Sequence, residues 1–433
     1  MLRGGSLGWI VGLVLVSSSI LVGHLAEGAR ILAIFPSPAK SHQIVFRAVV
    51  RGLLEKGHQV LMMTTDPFET DNPNVTQISW DFAHRIVDDN FDVAKLRQNG
   101  CSSLEVAWRL MDVTRKFVAA ELTHPEVQYL IENPHLHQFD VLLVEYFHMT
   151  PFFAFSELYQ IPMVGITSID SIGFAHQVVG NVMNVVAHPE MNQKYAEFPG
   201  FFNRLWAVLE KLFIDYILLP IEFSMYDRII EQNFGSNMSK SYELMQRLDF
   251  LMTNVEPVLG FVRPTVPQAI QLGLLHVQPA KALPNDLQLF LDNSKQGVVY
   301  FSLGSLIKSG SINAHNNRIF MEVFQSLDMN VLWKSDQPTE FNGTGNIWMN
   351  RWFPQQDVLA HPNVKLFVTQ GGQQSMEESV DRHVPMVVIP FNFDQYANGD
   401  RVTELGIGKS IWMEHLTVEG LREAIIEVTS NKK

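Results

Sequence analysis

Apolar residues along the chain fall into short runs with two kinds of spacing. Arg30 to Phe35, RILAIF, is a continuous run of strand length, and Val45, Val49 and Leu53 then recur every four residues, the period of one helix face. Gly57 stops that helix and Gln59 to Thr65 supplies the next strand, so strand, helix and strand follow within one short unit, the grammar of a parallel sheet. Val141 to Val144 is a further strand. The same grammar returns in the second half, where Val298 to Phe301, Val331 to Lys334, Val364 to Val368, Met386 to Ile389 and Ser410 to Met413 are apolar runs separated by segments of helical length and polarity. Between the halves, Pro257, Pro264, Pro267, Pro279 and Pro284 fall within Glu256 to Pro284, a density that suits a linker. The expected organisation is α/β, with doubly wound sheets over 30–255 and 285–433, a linker over 256–284 and a leader over 1–29. Ligands of such sheets lie beyond the carboxyl ends of the strands, so two facing domains enclose a cleft. The middle of the chain, Phe174 to Asp249, is rich in Phe, Met and Leu at helical spacing and reads mostly as core. Phe152, Phe153, Phe155 and Phe174 are candidates to line an apolar pocket, with plain packing the better reading for any single one.

The densest chemistry lies between Arg351 and Gln395. Val364 to Val368 predicts a buried strand, Thr369 to Gly372 a tight turn, and Gln374 to Val380 a helix that starts at once. That order makes an anion cradle: glycines let backbone approach a phosphate, and the amides and positive dipole end of the new helix face it. On those residues alone, a turn that merely connects two elements is an equal alternative.

Composition narrows the classes. With 433 residues, 46% hydrophobic and 18% charged, the chain can bury large cores, and a net charge of -13 without a long basic run argues against a nucleic-acid partner. Cys101 is the single cysteine, which excludes an internal disulfide and a multi-cysteine metal site. Arg3, the apolar run Leu7 to Gly23 and the small residues Ala26, Gly28 and Ala29 read as a cleaved secretory signal peptide, and sequons at Asn74, Asn237 and Asn342 permit lumenal glycosylation. No later run is long and apolar enough to cross a bilayer, since Leu205 to Leu219 contains Glu210, Lys211 and Asp215. A product in the endoplasmic reticulum lumen or secretory pathway is expected.

The segment RWFPQQDVLAHPNVKLFVTQGGQQSMEESVDRHVPMVVIPFNFDQ resembles the donor-binding signature of the UDP-glycosyltransferase family, membrane-associated enzymes that conjugate small lipophilic molecules. The likeness rests on Trp352, Pro354 and Gln355, the TQGG turn, Glu378, Pro385, Pro390 and the Asp394-Gln395 pair. FSLGS at Phe301 to Ser305, Arg263-Pro264 and Gly273 to His276 extend it over nearly all of the chain from Arg30. The resemblance implies a GT-B fold, two facing Rossmann-like domains with an interdomain cleft, and an inverting transfer of a hexose, glucose in arthropod-type members, from a UDP-sugar to a hydroxyl of a lipophilic acceptor. It assigns Trp352 to stacking on uracil, Gln355 to base or ribose, and Glu378 to the ribose hydroxyls, where a carboxylate accepts from a vicinal diol. Arg263 matches a family position on the donor side, Ser305, Gly371, Gly372 and Ser375 hold the diphosphate, and Asp394 and Gln395 read the sugar. No permanently bound cofactor and no metal are expected. Gln370 departs from the histidine most members carry; it still donates a hydrogen bond but carries no positive charge.

His42 lies in the turn PSPAKSH after the first strand, where a helix amino end disfavours protonation of the ring. An isolated turn histidine is more often a surface or capping residue, whereas the resemblance makes it the general base. Glu145, at the end of FDVLLVE, is its candidate carboxylate partner, in place of the aspartate usual in vertebrate members. Family members usually continue with further helices, a transmembrane span and a basic tail, whereas this sequence stops at Lys433. A second reading is therefore a truncated, non-catalytic member that binds ligand or pairs with full-length relatives, and homo- or hetero-oligomers are compatible with it. A third, hydride transfer, is weak because the first turn lacks G-x-G-x-x-G.

Overall fold

The structure, a computed structural model, describes residues 28–98, 101, 103–171, 173–187, 200–260, 262–304, 307, 312–336 and 345–430. The apolar leader, Ser305 and the sequon at Asn342 lie outside the described residues. Two all-parallel sheets form. The first contains β1 (Arg30–Phe35), β2 (Gln59–Thr64), β3 (Val75–Ser79), β4 (Val141–Glu145), β5 (Met163–Thr167), β6 (Leu248–Thr253) and β7 (Ala269–Gln271) in the spatial order 3-2-1-4-5-6-7. The second contains β8 (Val298–Ser302), β9 (Asn330–Lys334), β10 (Ile347–Asn350), β11 (Val364–Thr369), β12 (Met386–Val388) and β13 (Gly408–Ser410) in the order 10-9-8-11-12-13. Strand order reverses direction at β1/β4 and at β8/β11, the switch points where doubly wound sheets open a crevice at their carboxyl ends.

The central strands are apolar on both faces because helices cover both. In β1, Leu32 and Ile34 join one core cluster while Ile31, Ala33 and Phe35 join another with the helix α1 (Lys40–Glu55). The expected stripe of α1 is rotated by about one residue: Phe46, Val50 and Leu54 are buried with Gln43 and Val45, and Val49 and Leu53 are only half-buried at the stripe's edge. The last strand also differs from expectation, beginning at Gly408 rather than Ser410. A Cβ at Gly408 would stand 2.1 Å from the Met386 carbonyl oxygen, so the strand starts at a glycine that apolar patterning overlooks. The chain leaves the sheet after Ser410 and turns through Met413–His415. Within the proline-rich segment, Ala269–Gln271 pairs with Leu251 to Thr253, so part of that connection is the edge of the first sheet.

The middle of the chain is the largest departure. Helix α2 (Ser103–Leu122) packs in the first core, but the helix α3 (Phe201–Phe213), a π-helical turn over Ile214–Leu218 and the helix α4 (Leu219–Phe234) form one continuous rod that is not simply core. Phe202 is 80% exposed and Trp206 66% exposed, and Leu205, Leu209, Tyr216 and Ile217 also face outward.

Two seams join the lobes. Phe91, Val93 and Val106 from the first lobe pack into the second lobe's core with Leu303, Ile312 and Phe391. Opposite in character, a buried polar seam runs from the end of β6 to the helix α5 (Gln373–Asp381): Asn254 Nδ2 donates to Glu377 Oε2 (3.3 Å) and to the Ser168 carbonyl (3.0 Å), and Gln373 Nε2 donates to the Asn254 carbonyl (2.5 Å) and to Glu377 Oε1 (3.1 Å). Gln374 Nε2 also donates to the Ser168 carbonyl, at 2.8 Å.

One buried acid fits neither seam nor site. Glu121 on α2 is fully buried, both carboxyl oxygens lack a hydrogen-bond partner among the described residues, and burial with the neighbouring charge of Glu145 pushes its pKa well up. A carboxyl that stays protonated in the fold but ionises in the unfolded chain destabilises the protein above the ordinary carboxylate range, and this penalty disappears as pH falls below it. Glu121→Met is expected to raise the unfolding free energy at pH 7 by about 1–3 kcal/mol, and denaturant melts should show the gain shrinking toward pH 4.

Candidate active site in the interdomain cleft

The carboxyl ends of both sheets face one cavity of about 1330 Å³, large enough for a nucleotide sugar and a second small molecule together. His42 sits in the first turn of α1, directly after β1, and Glu145 closes β4, the parallel neighbour of β1. Adjacent parallel strands deliver both side chains to the same edge, where His42 Nδ1 lies 2.7 Å from Glu145 Oε1. Glu145 is 1% exposed, and its other oxygen accepts from the Ser37 amide at 3.0 Å. A carboxylate that accepts at Nδ1 fixes the tautomer with Nε2 unprotonated. His42 lines the cleft while Glu145 stands behind it. The added methylene of glutamate therefore does not prevent contact.

The opposite wall is the turn between β11 and α5. Gly371 has φ +83°, and a Cβ there would meet Val388 Cγ1 at 2.4 Å, so glycine is required by both conformation and packing. Gly371 packs behind the wall, whereas Gly372, with φ -60°, lies on it as the N-cap of α5. The expected pair of approach glycines is thus one glycine for the bend and one for the surface. Gln370 lines the cleft, and its buried carbonyl oxygen has no partner among the described residues. The first amide of α5 is already engaged, since Gln373 N donates to Asp394 Oδ2 at 3.2 Å. Asp394 also accepts from Asn398 Nδ2 at 2.8 Å; burial raises its pKa to about 6, against these hydrogen bonds and the attraction of His42. Asp394 is therefore near the histidine of the other lobe.

Beside the turn, Gln355 donates to Ser375 Oγ (3.0 Å) and to Glu378 Oε2 (2.7 Å), and Gln356 donates to Glu378 Oε1 (3.0 Å). Glu378 is 5% exposed yet lines the cleft, and Trp352 stands 61% exposed at its mouth. Gln395 also lines the cleft, but its carbonyl oxygen accepts from the Phe391 and Asn392 amides (2.8 and 3.1 Å), so only its amide nitrogen remains to meet a ligand. Arg263 is not on the wall. Its guanidinium is buried against Asp170 at 2.5 Å, which also lies 3.5 Å from His176 Nε2, and so it braces the floor of the cleft.

Sequence reasoning assigned no role to Lys334 or His276. Lys334, at the end of β9, lines the cleft, donates to the Gly304 carbonyl at 2.5 Å and places its ammonium 5.2 Å from the Trp352 ring centroid. Burial lowers its pKa, reinforced by Lys40, with Asp336 opposing. Its position as the last residue of a central strand was the available signal. His276, fully buried, stands 3.4 Å from Glu378 and 3.6 Å from Glu377. Burial opposes its charge, but the two glutamates prevail and raise its pKa. Among the described residues, no group of three His, Cys, Asp or Glu is arranged to hold a metal ion, and no helix is long and apolar enough to cross a membrane.

Two facing parallel sheets, with a strand-turn-helix unit on one wall of the cleft between them, give the GT-B glycosyltransferase architecture. The chain belongs to the family described as UDP-glucoronosyl and UDP-glucosyl transferase, which matches residues 30–433, and it is a UDP-glycosyltransferase. It is 30% identical to the ecdysteroid UDP-glucosyltransferase of Spodoptera littoralis nuclear polyhedrosis virus over 97% of this chain and 85% of that one. Identity to UDP-glucosyltransferase 2 of Dactylopius coccus is 26%, covering 97% and 81% of the two chains. Among solved structures, Os79 from O. sativa in complex with U2F and trichothecene superposes with a TM-score of 0.61 at 17% identity (93% and 91% covered). The glycotransferase of kitacinnamycin gives 0.60 at 20% identity (94% and 92% covered). These two likenesses speak to the fold.

The geometry at Glu378 generates a test. If its carboxylate is held for a ribose diol, Glu378→Ala weakens UDP binding by about ten- to a hundredfold, the effect of losing hydrogen bonds to a charged acceptor. Calorimetric titration of UDP checks this, and an unchanged affinity rules it out.

Proposed function

We propose that the protein transfers glucose from UDP-glucose to a hydroxyl of a small lipophilic acceptor with inversion at the anomeric carbon. One observation carries the reading: the His42–Glu145 pair and the α5 donor wall face each other across a single cavity. Relatives named as UDP-glucosyltransferases support glucose as the sugar, and those named for ecdysteroids support an acceptor of steroid size.

His42 Nε2 removes the proton from the acceptor hydroxyl while Glu145 holds Nδ1–H and stabilises the imidazolium that forms. The acceptor oxygen bonds to the anomeric carbon as the bond from that carbon to the diphosphate breaks, and UDP departs with the electron pair. In-line displacement turns an α-linked donor into a β-glycoside with no covalent enzyme intermediate. Trp352 stacks on uracil, Glu378 accepts from the ribose, and Gln370, Gly372 and Ser375 face the diphosphate. Lys334, between the turn and the indole, supplies the positive charge that Gln370 lacks. Asp394, near His42, accepts from the sugar hydroxyls and sets the anomeric carbon before the acceptor oxygen.

His42→Ala is expected to lower kcat by about 10²–10⁴-fold while leaving the Kd for UDP nearly unchanged; product formation from UDP-glucose and a fluorescent phenol is the assay, and full turnover refutes the base. Because the Asp394 pKa is raised to about 6, the carboxylate is lost as pH falls through 6. Affinity for UDP-glucose relative to UDP should then decline between pH 7 and pH 5, and Asp394→Asn should flatten that ratio. A ratio independent of pH in the unmodified protein contradicts the sugar contact.

A further inference from the structure

The first part of the rod, α3 and the π-turn, is amphipathic the wrong way round for a surface helix. Phe202, Trp206 and Tyr216 point outward there, whereas α4 buries Tyr226, Ile229 and Ile230 in the first core; Lys211 is 7% and Glu222 5% exposed and both line the cleft with Asp215. The ion pair Lys211–Asp215 spans the junction of α3 and the π-turn, and Glu222 Oε2 meets His148 Nδ1 at 2.7 Å. A π-turn widens the helical register, which swings Asp215 and Leu218 onto the cavity wall, and such turns recur at functional sites. Burying Lys211 and Glu222, with Asp215 and His148 half-buried as their partners, is unfavourable unless something there uses them. One aromatic ring links His148 to the base: the Phe147 ring centroid is 6.4 Å from that of His42 and 5.4 Å from that of His148.

We infer that Lys211, Asp215, His148 and Glu222 form a polar anchor for the end of the acceptor remote from the reacting hydroxyl, and that the preferred acceptor is a rigid lipophile carrying a second, uncharged hydroxyl. This rests on the acceptor occupying the first-lobe half of the cleft, as in the function proposed above. The charge pattern selects the group. A carboxylate would meet Asp215 and Glu222, and an ammonium would meet Lys211, whereas a hydroxyl donates to one and accepts from the other. Ile214, Leu218, Leu219 and Phe174 supply the apolar length between anchor and base.

The test compares 17β-estradiol with its 17-deoxy analogue, which share the phenol and differ only in the distal hydroxyl. Unmodified protein should bind the diol about tenfold more tightly than the analogue in calorimetry, and Glu222→Gln and His148→Phe should each erase most of that preference while the Kd for the analogue and for UDP stays within about twofold. Equal affinity for both steroids in the unmodified protein, or a preference that survives in both variants, overturns the anchor. Because binding is read apart from turnover, the two readings fail separately. A protein that prefers the diol but forms no glucoside keeps the anchor and loses the transferase reading, whereas transfer to both steroids with no binding preference does the reverse.

Discussion

The buried carboxylate of Glu377 is the constraint on which the geometry of the cleft depends. It sits fully buried in the first turns of α5, bonded on one side to Gln373 of its own helix and on the other to Asn254 of the opposite lobe. Burial raises its pKa, and the hydrogen bonds and the nearby His276 act against that rise. An ionisable group so placed is tolerable only while every partner is present. Separation of the lobes at this point would strand a carboxylate and several amides without partners, so the seam specifies one relative placement where an apolar patch would permit sliding.

That placement matters because the same helix forms the cleft wall that carries Ser375 and Glu378. Glu377 and Glu378 are successive residues, one turned to the seam and the other to the cleft, and His276 lies within 3.6 Å of both. Whatever shifts α5 on the first lobe also shifts Glu378, Ser375 and the Asp394 contact to the Gln373 amide. Interlobe register and the placement of Glu378 and Ser375 on the cleft wall are therefore properties of a single helix, and the span from that wall to His42 follows from it. The apolar contact of Phe91, Val93 and Val106 with the second lobe's core restrains the other side of the cleft by hydrophobic packing.

The strands β1, β2, β4, β8, β9, β11 and β12 and the Gly371-Gly372 turn were legible in the sequence because they are governed by local rules, whereas β5 and β6, equally interior, were not picked out. A strand buried on both faces must be continuously apolar, and a turn with positive φ packed against Val388 must be glycine. Edge strands were not legible: Val75–Ser79 sets two apolar residues among polar ones, Ile347–Asn350 is only four residues long, and Gly408 opens its strand for reasons of close approach that hydropathy does not register. The pairing of His42 with Glu145 was reachable from the order of parallel strands, whereas the roles of Gln373, Glu377 and His276 were not. They are polar residues at helix or loop positions whose burial arises only when the second lobe arrives. Arg263 shows the converse, since its sequence context pointed to the donor side while its guanidinium is spent on Asp170 beneath the cleft.

The inverted stretch from Phe201 to Leu218 follows the same logic. Hydrophobic spacing alone assigned it to the core, because periodicity reports that a helix has two faces but not which face the protein turns inward. Here the inward face borders a cavity, so Lys211 pairs with Asp215, and Glu222, one turn into α4, pairs with His148, while the rest of α4 buries Tyr226, Ile229 and Ile230 in the first core. Pairing holds Lys211 and Glu222 in place on the cavity wall, and a polar group held by a neighbour discriminates between ligands better than a free one. Departure from ordinary amphipathicity thus falls on an element of the first lobe that faces the cleft, while the second lobe keeps the regular pattern in its central strands.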